Sequence, residues 1–155
     1  MSASALLAEQ SMQFALPTLE GGLFSLQDEL AKGPVVLDFW ATWCKPCIKA
    51  LPEMQRLAKD YAKHKVGVFT INVDGPRNFA KIRPFMHRHK IDLPVLIDQT
   101  NQIMQQFHIM GLPAALIISA EGNVVYKHLG YKRGDEKVLR ERMDELLGIE
   151  RLHSK

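Results

Sequence analysis

Cysteine is nearly absent from this 155-residue chain: there are two, Cys44 and Cys47. A structural disulfide framework draws on several cysteines spaced widely enough to close long loops. A bridge across two intervening residues would constrain almost nothing in the unfolded chain. The pair therefore serves chemistry or a metal, unless it is accidental. Also missing is any run of about twenty apolar residues able to cross a membrane, and any low-complexity stretch, internal repeat or interdomain linker. Length and an ordinary composition, 46% hydrophobic and 24% charged, predict one domain over residues 1–155, with residues 1–10 flexible. Ala5-Leu6-Leu7-Ala8 has no basic residue before it and is too short for a signal peptide. Either the protein is cytoplasmic, or a signal or anchor has been removed ahead of Met1.

Acidic residues are lacking from Gly75 to Ile91, where Arg77, Lys81, Arg83, Arg88 and Lys90 gather with His87 and His89. Net charge is only +3. The cluster reads first as a solvated helix face, and more sharply as a docking surface for an acidic protein. No nucleic-acid motif accompanies it, so no nucleic-acid partner is expected.

What is present alternates between strand-like runs and helical stripes. Met12 to Leu16 and Leu23 to Phe24, joined through Glu20-Gly21-Gly22, predict a short hairpin. Ser25 is placed to cap a brief helix over Leu26 to Ala31. Val35 to Trp40 is apolar except for Asp38, as expected of a central strand buried on both faces. A helix follows over Lys45 to Lys63, its stripe being Cys47, Ile48, Leu51, Met54, Leu57, Ala58 and Tyr61, with Pro52 expected to kink it. Then come a strand (Val66 to Val73), a helix (Asn78 to Lys90), a short strand (Pro94 to Ile97) and a helix (Gln99 to Phe107). Ala114 to Ser119 and Asn123 to Lys127 read as a second hairpin. A last helix, Asp135 to Leu147, is expected to bury Val138, Leu139, Met143, Leu146 and Leu147. This order predicts an α/β fold, a mixed central sheet flanked by helices on both faces.

Cys44 falls at the start of the long helix, where unpaired N–H groups and the positive end of the dipole favour a thiolate. Thiolate is the nucleophile, so Cys44 is expected to attack. Cys47, within the first turn and on the apolar stripe, is the expected buried resolving partner, and Lys45 adds a positive charge beside Cys44. A zinc site would need two more ligands, and His87 and His89 offer no usual finger spacing. A haem attachment would need His at residue 48, which is Ile. Met86, Met104 and Met110 lack a matched Cys or His for copper and are expected in the core. No cofactor or metal is expected.

The run Val36-Leu37-Asp38-Phe39-Trp40-Ala41-Thr42-Trp43-Cys44-Lys45-Pro46-Cys47 closely resembles the active-site segment of thioredoxins. Pro52 and Gly111-Leu112-Pro113 extend that resemblance. It implies a thioredoxin-like fold in which Pro113 is cis and opposite the dithiol, and the backbone at Leu112 pairs with the substrate chain. The helix–strand unit around Asn78 to Ile97 is then an insertion before the cis-proline. With the opening hairpin it resembles the TlpA/ResA-like branch, mostly bacterial, extracytoplasmic and often membrane-tethered, whose members reduce specific disulfides, for example during cytochrome c maturation. Two departures stand out: Asp38 where many of that branch carry Asn, and Leu112 where many carry Thr or Val. The position of the thioredoxins' buried lysine corresponds to Thr70.

The resemblance implies a thiol–disulfide oxidoreductase, a reductase of protein disulfides recharged by a dithiol donor and acting as a monomer. Asp38 would take the proton of Cys47; the plainer alternative is a carboxyl hydrogen-bonded in the sheet or turned outward. Trp43, Lys45, Pro46, Gly111, Leu112 and Pro113 would contact substrate, while Trp40 packs and Glu53 is an exposed helix carboxylate. Two rivals remain. The insertion also resembles peroxiredoxins, although those have Thr three residues before the peroxidatic Cys, and that place before Cys47 holds Cys44. A non-catalytic peptide-binding module or chaperone using the Pro113 groove is the other.

Overall fold

The computed structural model describes residues 12–150; the predicted flexible segment 1–10 lies outside them. A five-stranded sheet has the order β5-β4-β3-β6-β7. Its strands are β3 (Val35–Trp40), β4 (Gly67–Asn72), β5 (Val95–Ile97), β6 (Ala114–Ile118) and β7 (Val124–Leu129). β3, β4 and β5 run parallel, while β6 and β7 are antiparallel additions on the other side of β3. Every residue of β3 is buried, as its continuous apolar run requires of a middle strand.

The predicted opening hairpin forms as β1 (Ala15–Pro17) and β2 (Leu23–Ser25). Leu19 N donates to Val95 O at 2.8 Å, which ties it to the sheet edge at β5. The predicted short helix is α1 (Leu26–Leu30), and Ser25 caps it by accepting from the Asp28 N–H at 3.4 Å. Gly33 then lets the chain turn close to Lys65: a Cβ there would lie 2.3 Å from the Lys65 carbonyl oxygen.

The remaining helices are α2 (Lys45–Tyr61), α3 (Phe79–Arg88), α4 (Gln102–Gln106) and α5 (Asp135–Leu147). Successive strand residues point to opposite faces. On one face Phe39 meets Phe107 beyond α4, and Phe24 of the hairpin meets Phe69. On the other, Trp40 meets Phe85 of α3, and Asp38 faces a cleft shared with α2 and α5. The expected covering of both faces is thus realised. Ahead of α4, the carboxylate of Asp98 accepts the Ile103 and Met104 N–H groups of its first turn.

Two packing expectations fail. Val138 is 40% exposed, and Met110 is 86% exposed rather than in the core. The buried stripe of α5 is Leu139, Arg140, Met143 and Asp144. Two polar residues take inward positions because they have partners there: the Tyr61 hydroxyl donates to Asp144, and Arg140 Nη1 donates to Asp60 Oδ2 at 2.6 Å. This cluster joins the C-terminal end of α2 to α5. Without Asp144 the buried Tyr61 hydroxyl keeps a longer bond to the Arg140 carbonyl (3.3 Å), and the loss is expected to cost about 1 kcal/mol. Urea unfolding of Asp144→Ala against wild type, both oxidised, measures it, and an unchanged midpoint would refute the role.

Candidate functional site

β3 ends at Trp40 in the middle of the sheet, and the chain crosses Ala41-Thr42-Trp43 before α2 begins. Cys44 is the N-cap residue of α2, and Lys45 and Pro46 open the helix. Pro suits that turn because its missing N–H would be unpaired anyway. Cys44 and Cys47 are joined in a disulfide with Cα atoms 5.3 Å apart. Cys44 is 3% exposed and Cys47 0%, so both are buried, and the burial of Cys47 agrees with its place on the apolar stripe. The helix N-terminus directs its free N–H groups and positive pole toward Cys44, an arrangement that stabilises a thiolate there once the bridge is reduced. Pro52 is accommodated inside a helix that continues to Tyr61.

The Leu112–Pro113 peptide is cis, as the resemblance implied. Phe39 pairs with Ala114 and Asp38 with Ala115 in the antiparallel register. Pro113 therefore lies level with Trp40, at the end of β3 from which the active-site loop departs. Gly111 and Leu112 precede it half-buried, while Trp43 stands 65% exposed and Lys45 and Pro46 are exposed. Trp40 is buried against Phe85, in keeping with a packing role.

Asp38 points to the α2 and α5 side of the sheet. It lines a narrow cleft with Ala50, Met54 and Leu57 of α2, Pro113 and Ala115. Ala50 is three residues past Cys47, so the two share a helix face. Neither Asp38 oxygen has a hydrogen-bond partner among the described residues. Thr70, its register neighbour, instead turns its hydroxyl to Pro94 O at 3.1 Å. Burial disfavours the ionised form and pushes the Asp38 carboxyl up to about 8.

The structure adds residues that sequence reading missed. Asp74, just beyond β4, accepts both the Thr42 N–H (2.8 Å) and the Thr42 hydroxyl (2.6 Å). Asn72 Nδ2 donates to the same carboxylate at 2.6 Å, and Asn72 Oδ1 accepts the Asp74 N–H at 3.0 Å. The loop before Cys44 is thus clamped to the neighbouring parallel strand. The available signal was the convergence of loops at the carboxyl ends of parallel strands, where Asp74 and Thr42 both had to fall. Glu53 corrects another reading. It is not a free surface carboxylate but lines the Asp38 cleft, 22% exposed and paired with Arg56. The far wall of that cleft carries His128, bonded to Asp135 at 2.8 Å, and Tyr131, donating to Glu136 at 3.0 Å. Among the described residues no group of His, Cys, Asp and Glu could hold a metal.

The sequence profile of the AhpC/TSA family matches residues 7–127. Thioredoxin-like protein YneN of Bacillus subtilis is 38% identical over 124 residues, 79% of this chain and 71% of that protein. Thiol-disulfide oxidoreductase ResA of Halalkalibacterium halodurans is 31% identical over 122 residues, 79% of this chain and 68% of that protein. A crystal structure described as a thiol:disulfide interchange protein DsbE from Chlorobium tepidum matches with a TM-score of 0.82. It is 27% identical, over 90% of this chain and 96% of its own.

Two expectations follow from the site's geometry. Between pH 3.8, the ordinary carboxyl value, and about 8, the unfolded chain releases the Asp38 proton while the folded protein keeps it. Folding then binds a proton, so this residue's contribution weakens as pH rises through that window. Oxidised Asp38→Asn should gain stability over wild type progressively from pH 4 to pH 8, and a difference independent of pH in urea titrations would contradict the buried carboxyl. Asp74→Ala should release the loop before Cys44, costing about 1–3 kcal/mol of stability from the unpaired Thr42 and Asn72 groups. Amide exchange of the Thr42 N–H should accelerate with it; protection equal to wild type would sink the clamp.

Proposed function

We propose that this chain, which belongs to the AhpC/TSA family and is a thiol–disulfide oxidoreductase related to ResA, works as a reductase of protein disulfides. The observation that carries the reading is the placement of the dithiol: a cysteine at the N-terminus of α2, with Asp38 buried against the same helix and without a hydrogen-bond partner among the described residues. In the reduced protein the Cys44 thiolate attacks one sulfur of a substrate disulfide. That S–S bond breaks, the departing sulfur takes a proton, and a mixed disulfide forms. Asp38 is ionised in a fraction of molecules that grows as pH rises toward 8. In that fraction Cys47 passes its proton to Asp38 and attacks Cys44 Sγ, which releases the second substrate sulfur. The substrate gains two electrons, and the Cys44–Cys47 bridge that remains is reopened by a dithiol donor.

A carboxyl near 8 suits this exchange, because it takes a proton readily yet stays within reach of neutrality. Trp43, Lys45 and Pro46 on one side and Gly111, Leu112 and Pro113 on the other would receive the substrate, with Leu112 pairing through its backbone. The whole chain acts as a single domain and as a monomer. Its resemblance to the ResA-like branch supports an extracytoplasmic, periplasmic site and a part in reactions such as cytochrome c maturation. Among the described residues no helix is long and apolar enough to cross a membrane.

Insulin reduction driven by a small dithiol tests the activity. Wild type should turn over, Cys44→Ser should be inactive, and Cys47→Ser should stall as a mixed disulfide visible by mass. Absence of turnover with insulin would overturn the reading, and peroxide consumption surviving Cys47→Ser would mark a peroxidase instead. A reduction potential near about −270 mV fits a reductase, whereas one near about −120 mV would make the protein a disulfide donor. Asp38→Asn should slow resolution of the mixed disulfide by about 10²-fold at neutral pH. Its pH profile should lose the inflection near 8 that ionisation of Asp38 imposes on wild type.

A further inference from the structure

A disulfide reduced at Cys44 must bring its chain across the mouth of the site, and what borders that mouth selects the chain. One border is α3. A groove runs between this helix and the active-site loop, lined among others by Thr42, Trp43, Asn78, Lys81, Phe85 and Arg88. The last four follow one another at three- and four-residue steps, so they form a single stripe along the helix.

The other side of α3 is already occupied by its own chain. Arg83 Nη1 donates to Glu20 Oε1 at 2.9 Å and Nη2 to Leu19 O at 3.1 Å, while Met86 and His87 line the crevice toward the same hairpin. The basic residues of this helix therefore do not form one uniformly solvated face. Arg83 is engaged, whereas exposed Lys81 and Arg88 have no ion-pair partner among the described residues. On the loop side, the carboxylate of Asp74 is taken up by Thr42 and Asn72. Lys45 adds a further exposed cation beside Cys44, and the groove wall carries the exposed indole of Trp43. A positive groove whose aromatic wall is Trp43, the residue next to Cys44 in the chain, complements a peptide that is acidic next to its cysteine.

We infer that the groove between Trp43 and α3 is a docking surface for disulfide substrates carrying acidic residues beside the reacting cysteine, with Lys81 and Arg88 receiving the carboxylates. This rests on the reductase reading and specifies its substrate class. Exposed charge pairs contribute weakly one by one, so two together should favour an acidic over a neutral substrate by about fivefold. Salt near 1 M, where the screening length is about 3 Å, should erase that preference.

The test uses three synthetic peptides, each with one disulfide and identical apart from two flanking positions occupied by Glu, Gln or Lys. Pre-reduced full chain is mixed with each at low salt, and the rate of its oxidation is read by alkylation and mass. The expected order is Glu fastest, Gln next and Lys slowest. In the double variant Lys81→Glu, Arg88→Glu the order should invert. A control with the same change of net charge, Lys59→Glu with Lys63→Glu, alters one residue in the last turn of α2, roughly 20 Å along the helix from Lys45, and one just past its end, and should keep the wild-type order. Equal rates for the three peptides, or an order that the control disturbs as much as the groove variant, would overturn the groove as a selector. No oxidation by any of the three, the Gln peptide included, would overturn the reductase reading and the groove with it.

Discussion

Asp38 lies in the middle strand of the sheet, buried, with no partner for either carboxylate oxygen among the described residues. Folding around such a group is tolerable while the carboxyl holds its proton, and becomes unfavourable as it ionises. The neighbouring positions sharpen the constraint. Thr70 bonds to Pro94 instead, Ala115 offers no polar atom, and the α2 face above is Ala50, Met54 and Leu57. The fold thus places a carboxyl poised near neutral pH behind a helix that begins with two cysteines. A structure built for stability alone would fill that position with an apolar side chain.

The dithiol depends on a second constraint, the exit of the chain from β3. A loop three residues long must present Cys44 at the helix N-terminus in a reproducible geometry. Asp74 provides this from the next parallel strand by holding the Thr42 backbone and hydroxyl together, while Asn72 holds Asp74. The cis bond before Pro113 completes the mouth from β6 on the opposite edge of β3. Three separate stretches of chain meet there because β3 is central, with β4 on one side and β6 on the other.

The same topology gives α3 its meaning. Inserted between β4 and β5, it packs Phe85 on Trp40 and so lies beside the active-site loop, not out on a remote surface. Its two sides then differ, one engaged with the opening hairpin and one open toward Trp43.

Much of this was legible in the order of residues. Strict periodicity revealed the strands and helices, because burial on one face or two leaves a pattern that needs no knowledge of the partner. Pro113 came from the resemblance to thioredoxins, whereas the Cys-x-x-Cys pair, its strand-to-helix setting and the lone carboxyl of Asp38 in an apolar run could be read from local chemistry. Pairings between distant positions could not. That Val138 faces outward while Arg140 and Asp144 face inward depends on Tyr61 and Asp60 arriving opposite them. Met110 looked like core on composition alone, and only the path of the loop before Pro113 exposes it. Glu53 became part of the Asp38 cleft, and Asp74 the clamp on Thr42, through contacts that in the latter case span 32 residues. The sequence by itself therefore determined which residues carry the redox chemistry, since a thiol's reactivity follows from its own type and its place at a helix end. Which polar groups support them, and which charges stay free to meet a partner, was decided by tertiary structure, because a charge is engaged or available only once the fold has chosen its neighbours.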